Sequence, residues 1–195
     1  MKTLAQRISV CKDCPLSRNR THAVPGDGSS SARIMFIGEA PGFYEDQQGR
    51  PFVGPAGKFL DELLSSAGMS RGEVFITNMV KCRPPENRDP MPGEVEACRQ
   101  YLDKQIQILK PRVIVALGRH SLAKFFPQES ISKLRGKPRQ WNDTIIYPMF
   151  HPAAALHNQG LRHYLEEDIK GLPLLLKEAP LGEKEQPQPQ QLPMF

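Results

Sequence analysis

Short apolar runs alternate with longer amphipathic stretches between residues 33 and 177. Runs at 33–37, 74–77, 112–117 and 144–149 are brief and apolar enough to form buried strands. Stretches with helical periodicity follow these runs, at about 57–67, 92–109, 119–126 and 160–177. Strands that alternate with helices are typical of a parallel sheet covered on both faces. The pattern therefore predicts one α/β domain.

One predicted helix has an apolar stripe that includes a cysteine. Over 92–109, Val95, Cys98, Leu102 and Leu109 recur at helical spacing. Cys98 should therefore point towards the interior of the protein. That placement fits a packed core thiol and a metal ligand equally, so the helix alone leaves both open.

The chain has the composition of an ordinary water-soluble domain, with 39% hydrophobic and 24% charged residues among 195. No apolar stretch approaches the length of a membrane span, and the start has no secretory signal, which favours a cytoplasmic location. Residues 178–195 are rich in proline, glutamine and charge, and they predict a disordered tail behind a domain at 1–177. A net charge of +5 is compatible with a polyanionic partner without requiring one.

Four cysteines are the strongest chemical signal in the sequence. They are Cys11, Cys14, Cys82 and Cys98, and the chain has no others. Cysteine thiolates in this number bind zinc or an iron-sulfur cluster, and spacing alone does not choose between the two. Two disulfides or buried core thiols are the alternatives, and disulfides are disfavoured in a reducing compartment. A metal or cluster site would tie the N-terminus to the middle of the fold.

Polar residues follow the ends of the predicted strands. Glu39 follows the first strand, Asn78 the second, His120 the third and His151 the fourth. Ligands of parallel α/β sheets collect at the carboxyl ends of the strands, so Glu39, Asn78 and His151 are expected to meet at one rim. Each of these three has a structural alternative, as a turn cap, a partner of a buried carbonyl or a carboxylate at a helix start. Their joint placement favours a functional site.

Several separated motifs together resemble one known family. They are, in chain order, the cysteine pair followed by Pro15, Gly-Glu-Ala-Pro-Gly at 38–42, Gly-Arg-Pro-Phe-Val-Gly at 49–54, Thr-Asn at 77–78, Lys-Cys-Arg-Pro-Pro at 81–85, Cys98, and His-Pro at 151–152. In order and spacing, the sequence resembles the family 4 uracil-DNA glycosylases over nearly all of residues 1–177. The resemblance implies a three-layer α/β/α sandwich with a central four-stranded parallel sheet. It also implies a 4Fe-4S cluster on Cys11, Cys14, Cys82 and Cys98.

The same resemblance implies the residues that hold the base. Asn78 would read the edge of a flipped uracil, because its amide offers a donor and an acceptor that match uracil O4 and N3–H but not cytosine. Phe52 would stack on the base, and the turn at Gly38 would bring backbone amides close to it. Glu45 would exclude the methyl group of thymine by its bulk, with Tyr44 as a rival for that role.

His151 and Glu39 are the residues implied for bond cleavage. Breaking the N-glycosidic bond leaves a cationic sugar and an anionic uracil, so the departing base needs stabilisation. His151 would donate an N–H to uracil O2, while Glu39 would orient a water or favour the cationic sugar. Other branches of the superfamily place a water-handling carboxylate one residue later, where this chain has Ala40.

The resemblance also implies contacts with uracil-containing DNA, single- or double-stranded. A predicted loop after His151 carries Leu156, which would fill the gap left by the flipped base or else begin the core of the last helix. Lys81, Arg83 and Arg135 are candidate contacts for DNA phosphates, although such charges also form solvated surfaces.

The protein is expected to be a monomer, and the sequence also suggests what its cofactor and its C-terminus do. The cluster would be a scaffold that positions the Asn78 loop. Residues 191–195, from Gln191 to Phe195, resemble the short motif with which bacterial proteins dock on the replicative sliding clamp, unless they are the unselected end of a tail. The alternative from another class is a nonenzymatic iron-sulfur or zinc nucleic-acid-binding protein, which would not require Glu39, Asn78 and His151 together.

Overall fold

Six strands form one sheet in the computed structural model, which describes residues 1–178 of the chain. The strands are β1 (Asp27–Gly28), β2 (Ile34–Gly38), β3 (Phe75–Asn78), β4 (Val113–Leu117), β5 (Arg139–Trp141) and β6 (Thr144–Met149). Their order across the sheet is β1-β3-β2-β4-β6-β5. The four central strands are parallel, whereas β1 and β5 pair antiparallel at the two edges.

The prediction of a four-stranded sheet is therefore wrong in its strand count. All four apolar runs became the parallel strands β2, β3, β4 and β6. The two additional edge strands have only two and three residues, and their positions are mostly exposed or half-buried. Such short, polar strands leave no periodic apolar signal in a sequence.

Helices cover the sheet and connect its strands. Within residues 1–178 they are α1 (Lys2–Ser9), α2 (Phe43–Gln48), α3 (Pro55–Ser66), α4 (Pro92–Leu109), α5 (Gly118–Ala123), α6 (Ile131–Leu134), α7 (Pro152–His157), α8 (Arg162–Ile169) and α9 (Leu172–Glu178). The predicted helices at 57–67 and 92–109 are confirmed by α3 and α4. The segment after His151 is the helix α7 and not the predicted loop.

The helix predicted over 160–177 is wrong as a single element, because α8 and α9 are separate. At the break, the Tyr147 hydroxyl donates to the Asp168 carbonyl at 2.9 Å. A Cβ at Gly171 would lie 2.9 Å from that hydroxyl oxygen. The chain at the break thus lies against the end of the Tyr147 side chain, a tertiary contact that helical periodicity does not report.

Successive residues of β2 enter different apolar clusters, which gives the fold its layers. Phe36 packs with Leu60 and the rest of α3 in one cluster, while Met35 and Ile37 belong to a second cluster with Leu102 of α4. Because strand side chains alternate between faces, these clusters lie on opposite sides of the sheet. The three-layer α/β/α architecture is thus confirmed.

The predicted C-terminal tail and the absence of a membrane span concern the ends and the helices of the chain. The predicted tail lies outside residues 1–178 except for Glu178, the last residue of α9, and the motif at 191–195 lies wholly outside them. Among the helices of residues 1–178, none has both the length and the apolar character needed to cross a membrane.

Candidate active site and cysteine centre

Asn78 lies at the carboxyl end of β3, paired in register with Gly38 at the end of β2. Its side chain is 1% exposed, yet Oδ1 has no hydrogen-bond partner. Within residues 1–178 this is the one buried side-chain oxygen or nitrogen without a partner. Buried polar atoms are nearly always hydrogen-bonded in folded proteins, so an exception at a strand end marks a place where a ligand would bind.

Gly38 makes room for two of the predicted base-binding side chains. A Cβ at this position would lie 2.4 Å from Asn78 Oδ1 and 2.7 Å from Phe52 Cζ. Any larger residue would therefore displace one of them. The structure brings Gly38, Phe52 and Asn78 together, as expected, although their contact with a base stays a prediction.

Phe52 is held in an uncommon backbone conformation by a neighbouring arginine. Its φ of 52° lies in the left-handed region, which costs energy for a residue other than glycine. Arg71 Nη1 donates to the Phe52 carbonyl at 3.0 Å, and Nη2 donates to the Pro51 carbonyl. Arg71 is anchored in turn by Asp61, 3.1 Å away. The hydrogen bonds of Arg71 thus hold the backbone at Phe52 so that its ring lies beside Gly38.

His151 caps the N-terminus of α7 and stacks against Phe52. Its Nδ1 accepts the Ala153 N–H at 3.1 Å, and the two rings lie 5.4 Å apart at 29°. Burial lowers the pKa of His151 to about 4, although the charge of Glu45 opposes that shift. The ring is therefore neutral at pH 7, and because Nδ1 is an acceptor, the proton resides on Nε2. His151 can thus donate one hydrogen bond without carrying a charge.

Glu45 is a support for two loops. Its Oε1 accepts the N–H groups of Val53 and Gly54, both at 2.8 Å, and its Oε2 accepts that of Gly42 at 3.1 Å. These contacts join the turn after β2 to the loop of Phe52. Exclusion of thymine by Glu45 stays a prediction, as does the rival role of Tyr44, whose exposed ring lies beside Gly54.

Glu39 belongs to a group of three ionisable side chains. His120 Nε2 lies 3.7 Å from Glu39 Oε2 and 3.3 Å from Asp89 Oδ2. Partial burial raises the pKa of Glu39, the nearby His120 lowers it, and Asp89 raises it again. Neighbouring charges of both signs therefore act on the pKa of the Glu39 carboxyl group at the end of β2.

The prediction that Lys81 contacts DNA phosphates is wrong, because its side chain is 1% exposed. Lys81 Nζ donates to Thr77 Oγ1 at 2.7 Å, to the Asn78 carbonyl at 2.6 Å and to Gln105 Oε1 at 2.7 Å. All three ammonium protons therefore have acceptors inside the protein. Lys81 thus holds the Asn78 carbonyl of β3 and the Gln105 side chain of α4 together.

Arg135 is mostly engaged by an acidic side chain. Its side chain is 18% exposed, and it donates to Asp168 from Nε to Oδ2 at 3.0 Å and from Nη2 to Oδ1 at 2.6 Å. This bidentate pair holds the guanidinium in place, and its contact with DNA stays a prediction.

Two of the predicted DNA contacts remain on the surface. Arg83 is half-buried, with Nε donating to Asn87 Oδ1 at 2.7 Å and its guanidinium 5.2 Å from the centre of the Phe43 ring. Leu156 is 49% exposed on α7, so it is not the first core residue of the last helix. Its exposure leaves the side chain available to a partner.

All four cysteines gather around one apolar cluster beneath α1 and α4. Cys82 and Cys98 are buried members of that cluster, and Cys11 and Cys14 pack against it. None of the four forms a disulfide. Burial raises the pKa of Cys98 to about 11 and also raises the pKa of Cys14 and Cys82. Thiolates in this environment need compensating positive charge, which a metal centre would supply.

One of the four sulfurs has a hydrogen-bond donor from the protein. Arg20 Nη1 donates to Cys82 Sγ at 3.0 Å, so that sulfur acts as an acceptor. Cysteine thiolates bind zinc or an iron-sulfur cluster, and the set is compatible with both.

Sequence reasoning missed three side chains that support these sites. Asp89, Arg71 and Arg20 all come from segments without regular apolar periodicity, and each reaches its partners through tertiary contact. No local signal marks such residues. For the group of Glu39, Asp89 and His120, the one sequence signal beyond Glu39 itself was that His120 closely follows the end of a predicted strand.

Comparisons with known proteins place the chain in a family. Residues 25–170 match the family model described as the uracil DNA glycosylase superfamily. The type-4 uracil-DNA glycosylase of Sulfurisphaera tokodaii is 50% identical over 180 residues, which cover 87% of this chain and 82% of that protein. The type-4 uracil-DNA glycosylase of Thermotoga maritima is 47% identical over 175 residues, which cover 87% of this chain and 91% of that protein. The chain therefore belongs to the type-4 uracil-DNA glycosylases within the uracil DNA glycosylase superfamily.

Proposed function

We propose that this protein is a monofunctional DNA-repair glycosylase. It would flip uracil out of DNA, hydrolyse the N-glycosidic bond and leave an abasic site. The observation that carries the proposal is the unpartnered, buried Oδ1 of Asn78 between Gly38 and Phe52. The relatives named as type-4 uracil-DNA glycosylases support the choice of substrate.

Base recognition would rest on the amide of Asn78. Its Oδ1 would accept uracil N3–H and its Nδ2 would donate to uracil O4. Cytosine carries an amino group in place of O4 and lacks the N3 proton, so both contacts would fail. Rejection by an unmet hydrogen bond is strong, because the buried atoms of the site then stay unpaired. Phe52 would cover one face of the base.

Bond cleavage would rest on His151 and Glu39. The N–H at Nε2 of the neutral His151 ring would donate to uracil O2, where negative charge develops as the base leaves with the bonding electrons. The carboxylate of Glu39 would favour the cationic sugar and orient the water that adds to C1′. Burial is the main cause that raises the pKa of Glu39 above its ordinary value, while His120 and Arg119 oppose that rise.

A lyase step is not part of the proposal. Schiff-base chemistry needs an amine that can reach the sugar. Lys81 is the lysine nearest to Asn78 in sequence, but its ammonium is enclosed by Thr77, Asn78 and Gln105. The geometry therefore supports simple hydrolysis.

For the DNA surface, we propose that Leu156 enters the gap left by the flipped nucleotide. The side chain is exposed at the C-terminal part of α7, the helix that His151 caps. Arg83 would contact a phosphate nearby, since this half-buried residue lies beside the exposed ring of Phe43. We expect each Arg or Lys that truly binds a phosphate to contribute about one unit to the salt slope of binding.

The four cysteines would hold a 4Fe-4S cluster, with zinc as the less favoured occupant. Their number, their shared apolar cluster and the similarity of the chain to type-4 uracil-DNA glycosylases support this assignment. When bound, the cluster would supply positive charge to the buried thiolates and fix the segment from Asn78 to Cys82. An absorbance band near 400 nm together with iron and sulfide analysis of the purified protein tests the assignment, and one tightly bound zinc per chain would refute it.

The central test is release of the base. Purified protein is incubated with single- and double-stranded oligonucleotides that carry one uracil, one cytosine or one thymine at the same position. We expect free uracil and an alkali-labile abasic site from the uracil strands alone. DNA binding without any release of uracil would favour the nonenzymatic nucleic-acid-binding alternative. The Asn78→Ala variant provides a matched control that should bind DNA and release uracil far more slowly than the wild type.

Three further proposals concern the whole chain. Residues 1–177 would form the catalytic domain and act as a monomer. The protein would work in the cytoplasm. Gln191 to Phe195 would dock on the sliding clamp, and a chain that ends at residue 186 should then lose clamp binding while it keeps uracil release. Equal clamp binding by both chains would refute the docking.

A further inference from the structure

Three ionisable side chains meet at the strand ends beside the base pocket. Glu39 follows β2, His120 lies on α5 directly after β4, and Asp89 precedes α4. One nitrogen or oxygen atom from each lies within 4.8 Å of the others. Because three separate segments supply them, the group is built by the fold and not by a local turn.

The contacts within this group are specific. A single ring nitrogen, His120 Nε2, lies 3.3 Å from Asp89 Oδ2 and 3.7 Å from Glu39 Oε2. Arg119 adds a positive charge, since its Nε donates to the same ring nitrogen at 3.0 Å and its Nη2 donates to Asp89. The charged groups that face Glu39 are therefore His120, Asp89 and Arg119.

A bound cation is the competing interpretation of two carboxylates and an imidazole. The guanidinium of Arg119 already binds the Asp89 carboxylate, and a cation would have to displace it. Asp89 is also 57% exposed, which is typical of a solvated carboxylate. The arrangement therefore fits a set of charges arranged around Glu39 better than a metal site.

The backbone places Glu39 next to the pocket. The Glu39 carbonyl accepts the Val80 N–H at 3.2 Å, and the Gly38 carbonyl accepts the Met79 N–H at 3.0 Å. These bonds tie the end of β2 to the turn that follows Asn78. On the other side, a Cβ at Gly118, the first residue of α5, would lie 3.2 Å from His151 Cβ. The group around Glu39 thus adjoins both Asn78 and His151.

We propose that Asp89 and His120 are positioning residues that orient the Glu39 carboxylate and set its charge beside the reacting sugar. This inference rests on the proposed excision of uracil. His120 and Arg119 favour the ionised carboxylate, whereas Asp89 opposes it. The two residues should therefore act on Glu39 in opposite directions, which a merely structural role would not produce.

The test measures the titration of Glu39 directly. Protein labelled with ¹³C at glutamate carboxyl carbons is titrated by NMR, with the Glu39 signal assigned by its loss in Glu39→Gln. We expect Asp89→Asn to lower the pKa of Glu39 and His120→Gln to raise it. Uracil release on the acidic side of the pH profile should rise about fivefold in the first variant and fall about fivefold in the second, as expected for unit charges near 4 Å in a mostly aqueous site.

Matched controls are the exposed Asp143→Asn and His163→Gln variants, which should leave the titration and the profile unchanged. An unmoved Glu39 signal in both test variants would overturn the proposal, as would equal losses of activity at every pH. Wild-type protein that releases no uracil would instead refute the proposed function. In that event the NMR titration still decides whether Asp89 and His120 set the charge of Glu39.

Discussion

The pocket around Gly38, Phe52 and Asn78 and the group of four cysteines are joined by the short segment from Asn78 to Cys82. The polar atoms along this segment differ in whether they have hydrogen-bond partners inside the protein. At the pocket, Asn78 Oδ1 is buried without a partner. Four residues further on, Cys82 Sγ receives the guanidinium of Arg20, and Lys81 Nζ between them has three acceptors. The oxygen of Asn78 is free to pair with a ligand, whereas the three acceptors of Lys81 make that side chain part of the supporting structure.

The substitution Asn78→Ala should separate the two regions most clearly. Losing two hydrogen bonds to the base should reduce kcat/KM for uracil excision by about 10³-fold. Stability should be kept or slightly raised, because the substitution removes a buried oxygen without a partner. Uracil release and thermal unfolding are measured on the same preparation. A variant that loses stability along with activity would mean that Asn78 is part of the scaffold.

Replacement of His151 by Gln should reduce kcat by about 10²-fold, since one donor to the developing oxyanion is lost. The pH dependence is equally informative. Because the pKa of His151 is lowered to about 4, its ring is neutral from pH 5 upwards, and its protonation should cause no change in rate between pH 5.5 and 8. An inflection near pH 6.5 that disappears in His151→Gln would contradict the neutral-donor role.

The substitution Lys81→Met should affect both regions at once. It leaves the Asn78 carbonyl and Gln105 Oε1 without their donor, at a cost of about 2 kcal/mol in the free energy of unfolding. We also expect a loss of roughly tenfold in uracil release, because the backbone of Asn78 loses its support. Chemical denaturation and initial rates are the measurements. Lys104→Met, at an exposed position of α4, is the matched control.

The substitution Arg71→Lys should have the smallest effect. A lysine keeps the charge near Asp61 but cannot donate to both the Pro51 and Phe52 carbonyls in the same fork geometry. The ring of Phe52 should become less well ordered, and KM should rise about threefold with little change in kcat. A fall in kcat with constant KM would argue that Phe52 acts in the transition state only.

The parallel strands and the three polar residues at their ends could be predicted from the sequence. The apolar runs located all four parallel strands, because strands buried on both faces are continuously apolar. Glu39, Asn78 and His151 were placed together because parallel strands deliver their carboxyl ends to one edge of the sheet. The edge strands β1 and β5 were missed, since they are short and mostly polar.

The rest of the site depends on tertiary contacts that sequence patterns do not report. Lys81 was assigned to the surface because lysines are rarely buried, and only the structure shows the three acceptors that make its burial tolerable. Asp89 and Arg71 reach the site from loops and carry no periodicity. Supporting residues of this kind are therefore identified only by their tertiary contacts in the structure.

The left-handed backbone at Phe52 limits which residues can ever replace it. Glycine would adopt φ = 52° without cost but would remove the ring, while valine and isoleucine would keep apolar bulk but resist that conformation. Position 52 therefore has few neutral substitutes, and most single changes there lose either the stacking surface or the loop conformation. Variation among natural relatives should consequently be lower at this residue than at equally buried positions of the sheet.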